Sequence, residues 1–129
     1  MSLPVPHPGL VIRYSYLWKH EELEGHEEGS KDRPCAVVVA FEDSGGRKRV
    51  FVLPITHTAP KPPDMGIEIP KVVKTRLGLD WERSWIIISE SNVFAWPGPD
   101  LRPATGHGAE SIAFGMLPPT FFRIVRDGF

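Results

Sequence analysis

A chain of 129 residues with 15 basic and 16 acidic side chains has a formal net charge of −1. It therefore lacks the global positive field that phosphate neutralisation draws on in nucleic-acid binding, and any such site has to be a local patch. No apolar stretch approaches the roughly 20 residues needed to cross a bilayer, and the single cysteine, Cys35, excludes an internal disulfide framework. The length fits one domain over 1–129, able to bury about two-thirds of its unfolded surface. Residues 1–8 lack the basic start and apolar core of a signal peptide; a cytoplasmic protein is the expectation.

Fourteen prolines and 12 glycines cut the chain into short pieces and argue against a helical bundle. Residues 10–17 mix alternation with β-branched and aromatic side chains and read as a first strand. A long, acidic, glycine-containing loop follows over 19–32; loops of that length are usually functional or mobile. It ends in Glu28-Gly29-Ser30-Lys31-Asp32-Arg33-Pro34, and the chain then enters an apolar run, 36–41, of strand length. A Gly45-Gly46 pair marks a hairpin leading into a second apolar run, 50–55, which leaves through Thr56-His57-Thr58. Residues 70–78 begin with Pro70 and end with Gly78, the pattern of a short helix. Residues 85–89 read as a further buried strand, with 92–96 as its hairpin partner or continuation. Residues 97–110 are irregular. Residues 117–128 read as a short terminal helix closed by Gly128, with Phe121, Ile124 and Val125 as its apolar stripe. Short strands with Gly/Pro turns and one or two small helices predict a mainly β fold, an SH3-like small barrel with a short C-terminal helix.

The chemistry-bearing residues sit at the ends of the two apolar runs. An arginine enters one strand and a hydroxyl–imidazole–hydroxyl triplet leaves the other, so neighbouring strands would bring Arg33, Thr56, His57 and Thr58 to one mouth, with Ser30 and Lys31 on the incoming loop. That set is equipped to grip a phosphate. Each residue also has a plainer reading: Arg33 as a surface partner of Asp32, Thr56 as a strand-end hydroxyl bonded to nearby backbone, Glu28 as one solvated acid among several. His20, Glu22, His26 and Glu27 include ligand types but no recognised ligand spacing, so neither a metal nor a cofactor is expected. Most of the four tryptophans are expected in the core of so small a fold, with one or two left to face a ligand.

The order of these segments resembles the MazF/PemK toxins of bacterial toxin–antitoxin modules. Gly9-Leu10-Val11-Ile12 through Trp18 is similar to the family's opening strand. Glu28 to Arg33-Pro34, followed by Val37-Val38-Val39, resembles its Glu-Gln-x-Gly-x-Arg-Pro segment and the strand after it. Val52-Leu53-Pro54-Ile55-Thr56 matches its strand ending Pro-Ile-Thr, and Leu77-Gly78-Leu79 with 85–89 resembles its later turn and strand. Gly29-Ser30 stands in place of the usual Gln-x, Leu10 in place of the opening Asp, and His57 where serine is more usual. The resemblance implies an SH3-like barrel of the MazF/PemK/CcdB type and a sequence-selective endoribonuclease, an mRNA interferase that inhibits growth. It assigns Arg33 and Thr56 as the catalytic pair with Glu28 as a third. It also implies single-stranded RNA as substrate, a homodimer, and a cognate antitoxin with a disordered tail that folds into the RNA groove.

Such cleavage needs no metal if the RNA's own 2′-hydroxyl attacks the adjacent phosphorus. The protein then stabilises charge on the equatorial oxygens and moves two protons. Arg33 suits the first task through bidentate, always-charged contacts. Thr56 is suited to donate to the same phosphate, and His57, as an imidazole, to shuttle protons. Strand alternation, however, points His57 away from Thr56 unless the strand has already ended. The competing expectation is a non-catalytic barrel that binds a protein partner, as a related toxin group does in poisoning DNA gyrase.

Overall fold

Period-2 alternation places the side chains of the long strands on two faces, and both faces are buried. The computed structural model describes residues 3–23, 32–104 and 111–129. Strand β1 (Leu10–Ser15) sends Leu10, Ile12 and Tyr14 to one apolar cluster and Val11 to another. Strand β2 (Asp32–Glu42) does the same, with Cys35 and Val37 on one side and Ala36 and Val38 on the other. A strand buried on both faces reads as a continuous apolar run rather than an alternating one; in β2 this holds for 35–38, whereas Val39 and Phe41 further along are exposed. Each fully buried Val, Leu or Ile contributes about 1.5–3 kcal/mol.

Strands β2 and β3 (Lys48–Thr56) form the hairpin expected at Gly45-Gly46. Asp43 closes the turn: its Oδ1 accepts the Gly45 and Arg47 amides at 2.9 and 3.1 Å, and Gly46 takes the left-handed φ of 78°. Strand β3 then changes partner along its length. Arg49 to Val52 pair with β6 (Asn92–Ala95), whereas Ile55 and Thr56 pair with β5 (Trp85–Ile87). Pro54, which has no N–H to give a neighbour, lies at the changeover. With β4 (Gly66–Glu68) and β7 (Ala113–Met116), all pairings are antiparallel, in the order β4-β5-β3-β2-β1-β7 with β6 also on β3. The fold is thus mainly β, a seven-stranded sheet with short helices. Rings from β6 and β1 meet across the second cluster, Phe94 stacking on Tyr14 at 4.6 Å.

Helix α1 (Lys19–Leu23) lies inside the stretch expected to be loop. The first cluster is covered by α2 (Lys71–Leu77) and α3 (Pro119–Gly128). Gly78 ends α2 in the left-handed conformation, φ 67°, and the Gly78 and Leu79 amides donate to Thr75 O and Lys74 O. In α3, Phe121 and Val125 are buried four residues apart, but Ile124 is 54% exposed and is not part of the apolar stripe; Phe122 packs against the cluster instead. One further expectation changes, and two strands had not been expected. Segment 92–96 pairs with β3 rather than hairpinning onto β5, because the apolar edge of β3 above Pro54 is open to it. Strands β4 and β7 had no clear signal: both are short, contain glycine, and pair over three residues each. Among the described residues no helix is long and apolar enough to cross a membrane.

Candidate functional site

Arg33 stands opposite Tyr14 in the β1–β2 ladder and two residues before Cys35, which faces Pro54 of β3. The two strands run on from that pair to Arg33 and Thr56, so their ends share one mouth. Arg33 shares the face of Cys35 and Val37, and its guanidinium carbon lies 4.9 Å from the centre of the Trp18 ring, a cation–π stack. Its Nε is buried without a hydrogen-bond partner among the described residues. A buried donor left unmade is costly in a folded protein and marks a place where an acceptor is wanted. Burial lowers the Arg33 pKa from its ordinary value, and neighbouring groups, the Glu21 carboxylate among them, oppose that change. The Cys35 thiol is fully buried, and that burial pushes its pKa up.

Trp18 is held in place by its backbone. Glu21, three residues on, accepts the Trp18 amide at 3.1 Å, the returning half of a capping box that starts α1. The Lys19 amide, another unpaired donor of that first turn, goes to Glu90 Oε1 at 3.1 Å. Asn92 clamps Leu17 on both sides, accepting its N–H at 2.8 Å and donating to its carbonyl at 2.7 Å. Glu90 also accepts the hydroxyl of fully buried Tyr16 at 3.2 Å.

Thr56 is the last residue of β3, paired with Trp85. Its Oγ1 accepts the Thr58 amide at 3.2 Å, a local turn that leaves the hydroxyl proton to be donated. Because the strand ends there, alternation no longer applies, and His57 and Thr58 turn to the same cleft as Thr56. His57 lies between two carboxylates, Nε2 at 2.7 Å from Asp80 and Nδ1 at 3.3 Å from Glu82. A neutral imidazole donates to one of them; imidazolium donates to both. Asp80 is anchored in turn by the buried Lys74 ammonium at 2.7 Å and by the Glu82 amide at 3.1 Å. Lys74 also donates to the Glu82 carbonyl. Partial burial raises the Asp80 pKa, but the bonds from Lys74 and His57 outweigh it and hold the carboxyl below its ordinary value.

These groups surround a cleft of about 650 Å³. Arg33, Trp18, Thr56, His57 and Thr58 line it, and Lys61 adds a second cation. Its carboxylates are largely engaged: Asp32 lies 3.8 Å from Arg13 and 3.6 Å from Arg102, and Asp80 holds Lys74 and His57. Among the described residues, the set nearest to a metal centre is His57, Asp80 and Glu82, whose ligand atoms lie within 4.8 Å of one another. As arranged, both imidazole nitrogens face carboxylates and Lys74 already supplies the positive charge at Asp80, so the set is an ion-pair network. Chemically, the cleft offers a guanidinium, a hydroxyl donor and an imidazole around a space open to a phosphate.

Of the residues singled out from sequence, Arg33, Thr56, His57 and Thr58 come together in this cleft, whereas Glu28, Ser30 and Lys31 lie outside the described residues. Sequence reasoning missed Asp80, Glu82 and Lys74 as partners of His57, and Glu21, Glu90 and Asn92 as supports of Trp18. The Asp-Trp-Glu run after Gly78 carries no spacing that points back to His57; only β3–β5 pairing brings them together. Comparison with protein-family models, with curated proteins and with solved structures finds no match.

Proposed function

We propose that this protein is a toxin-like endoribonuclease of a type II toxin–antitoxin system, built on an SH3-like barrel of the MazF/PemK type and acting in the cytoplasm on single-stranded RNA. The observation that carries the reading is the meeting of Arg33 and Thr56 in one cleft, with a buried guanidinium nitrogen that has no acceptor among the described residues. In this reading the scissile phosphate accepts from Arg33 and from the Thr56 hydroxyl, which favours the pentacovalent charge that develops when the 2′-hydroxyl attacks phosphorus. The 2′-hydroxyl proton leaves to a base, the P–O5′ bond breaks, and the departing oxygen takes up a proton, giving a 2′,3′-cyclic phosphate and a 5′-hydroxyl. His57 and Glu28 are the candidates for the two proton transfers. A homodimer and inhibition by a small antitoxin belong to the same proposal.

The test is cleavage of a long mixed-sequence RNA in EDTA by the wild type beside Arg33→Ala. Discrete fragments from the wild type alone support the nuclease. Intact RNA at high protein concentration refutes it and favours the second reading, a barrel that binds a protein partner. That reading draws on an exposed aromatic surface at Phe41 and Phe129, both in ring contact with Phe51.

A further inference from the structure

Beside the cleft lies a second depression of about 340 Å³, walled by Lys71 and Thr75 of α2, by Glu68 and Arg83, and by Trp81. Trp81 is 88% exposed, the most exposed large hydrophobic side chain among the described residues, whereas Trp18, Trp85 and Trp96 are half-buried. Burial normally draws so large a ring inward. Here the indole stands in water at the rim of a groove.

The charges that line it balance, with Glu68, Asp80 and Glu82 against Lys71, Lys74 and Arg83. Arg83 makes a two-pronged bond to Glu68, 2.8 Å on each arm, Lys74 neutralises Asp80, and Glu82 faces His57. A groove with little net field has no strong hold on a phosphate or a carboxylate. It suits a neutral planar heterocycle, one face on the indole and its polar edge toward hydroxyl and carboxylate groups such as Thr75 and Glu82. The two spaces are neighbours, with Leu79 and Asp80 lining both. Trp81 thus stands across the Leu79–Asp80 wall from the cleft that holds Arg33.

We propose that the Trp81 groove is a nucleobase-stacking subsite for single-stranded RNA, taking a base that flanks the phosphate held at Arg33. The proposal rests on reading the cleft as an RNA site. It divides the labour by chemistry: charge recognition at Arg33, sequence-tolerant stacking at Trp81.

The experiment measures fluorescence anisotropy of labelled 2′-O-methyl RNA pools of random sequence, which lack the attacking hydroxyl and stay intact. Trinucleotide and nonanucleotide pools are titrated with wild type, Trp81→Ala, Trp81→Phe and Arg33→Ala. Trp81→Ala is expected to weaken both pools, the nonanucleotide about 5- to 150-fold, the range for loss of one stacked base. Trp81→Phe retains most of the affinity. Because the side chain is almost wholly in solvent, neither change disturbs the core. If Trp81→Ala binds the nonanucleotide as the wild type does while Arg33→Ala loses it, the subsite is wrong and the cleft reading stands. If the wild type binds neither pool, both fall.

Discussion

Replacing Asp80 by Asn tests the network that holds His57 at the cleft. Lys74 is 4% exposed, with its ammonium fixed by Asp80 Oδ1 at 2.7 Å and by the Glu82 carbonyl. Breaking a fully buried ion pair costs about 3–5 kcal/mol, because a charge is left in low dielectric without its partner. The Asp80 side chain is 46% exposed, so water screens part of the loss, and an asparagine oxygen still accepts one bond. About 1–3 kcal/mol is the expected destabilisation, or roughly 4–12 °C in Tm for a chain of this length. Lys74→Met, which removes the buried charge together with its need for a partner, should cost less, since water can solvate the Asp80 that remains. The difference depends on pH in a defined direction. Asp80 is held below its ordinary carboxyl value, so its contribution is fully present above about pH 4, the unfolded value, and is lost as pH falls through the folded one. Urea melts of wild type, Asp80→Asn and Lys74→Met at pH 7 and below pH 4 check all three statements. A Lys74→Met loss equal to or larger than that of Asp80→Asn would refute the reasoning, as would an Asp80→Asn penalty that persists undiminished in acid.

Four further outcomes are expected. Arg33→Ala should lower RNA cleavage about 10²–10³-fold, and Arg33→Lys, which keeps the charge but not the planar fork, should stay at least about tenfold below wild type; wild-type rates for the lysine variant contradict bidentate phosphate recognition. Asn92→Ala removes both bonds to Leu17 and should destabilise by about 1–3 kcal/mol, with a loss of near-ultraviolet circular dichroism as Trp18 is freed; an unchanged spectrum tells against the clamp. Cys35 should resist thiol reagents at pH 8 in the native protein and react on unfolding, because burial pushes its pKa up; fast labelling of the folded chain contradicts this. Gly78→Ala forces an alanine into φ 67° and should cost about 1 kcal/mol in a thermal melt, with no change in RNA cleavage.

Much of the fold was legible because its signals are local. The apolar runs of β2 and β3 show because 35–38 and 52–55 are buried on both faces, the Gly45-Gly46 turn is closed by its own neighbour Asp43, and Pro70 and Gly78 bracket α2. Elements whose existence depends on a distant partner were not legible. Strand β6 reads equally well as a mate for β5, and only the open edge of β3 above Pro54 decides between them. Ile124 has the right spacing for the apolar face of α3, yet the helix sits so that Phe121 and Val125 fill the cluster and Ile124 meets water.

The candidate site divides in the same way. Residue chemistry and strand ends marked Arg33 and Thr56 from the sequence alone, because charge type and strand boundaries are properties of short segments. The tertiary structure alone decided that Trp18 lies against the Arg33 guanidinium, that Asp80 and Glu82 take up both nitrogens of His57, and that Trp81 stays in solvent. Each of these depends on strand pairing and loop placement that bring together residues far apart in the chain, and contacts of that kind leave no period, spacing or composition to read.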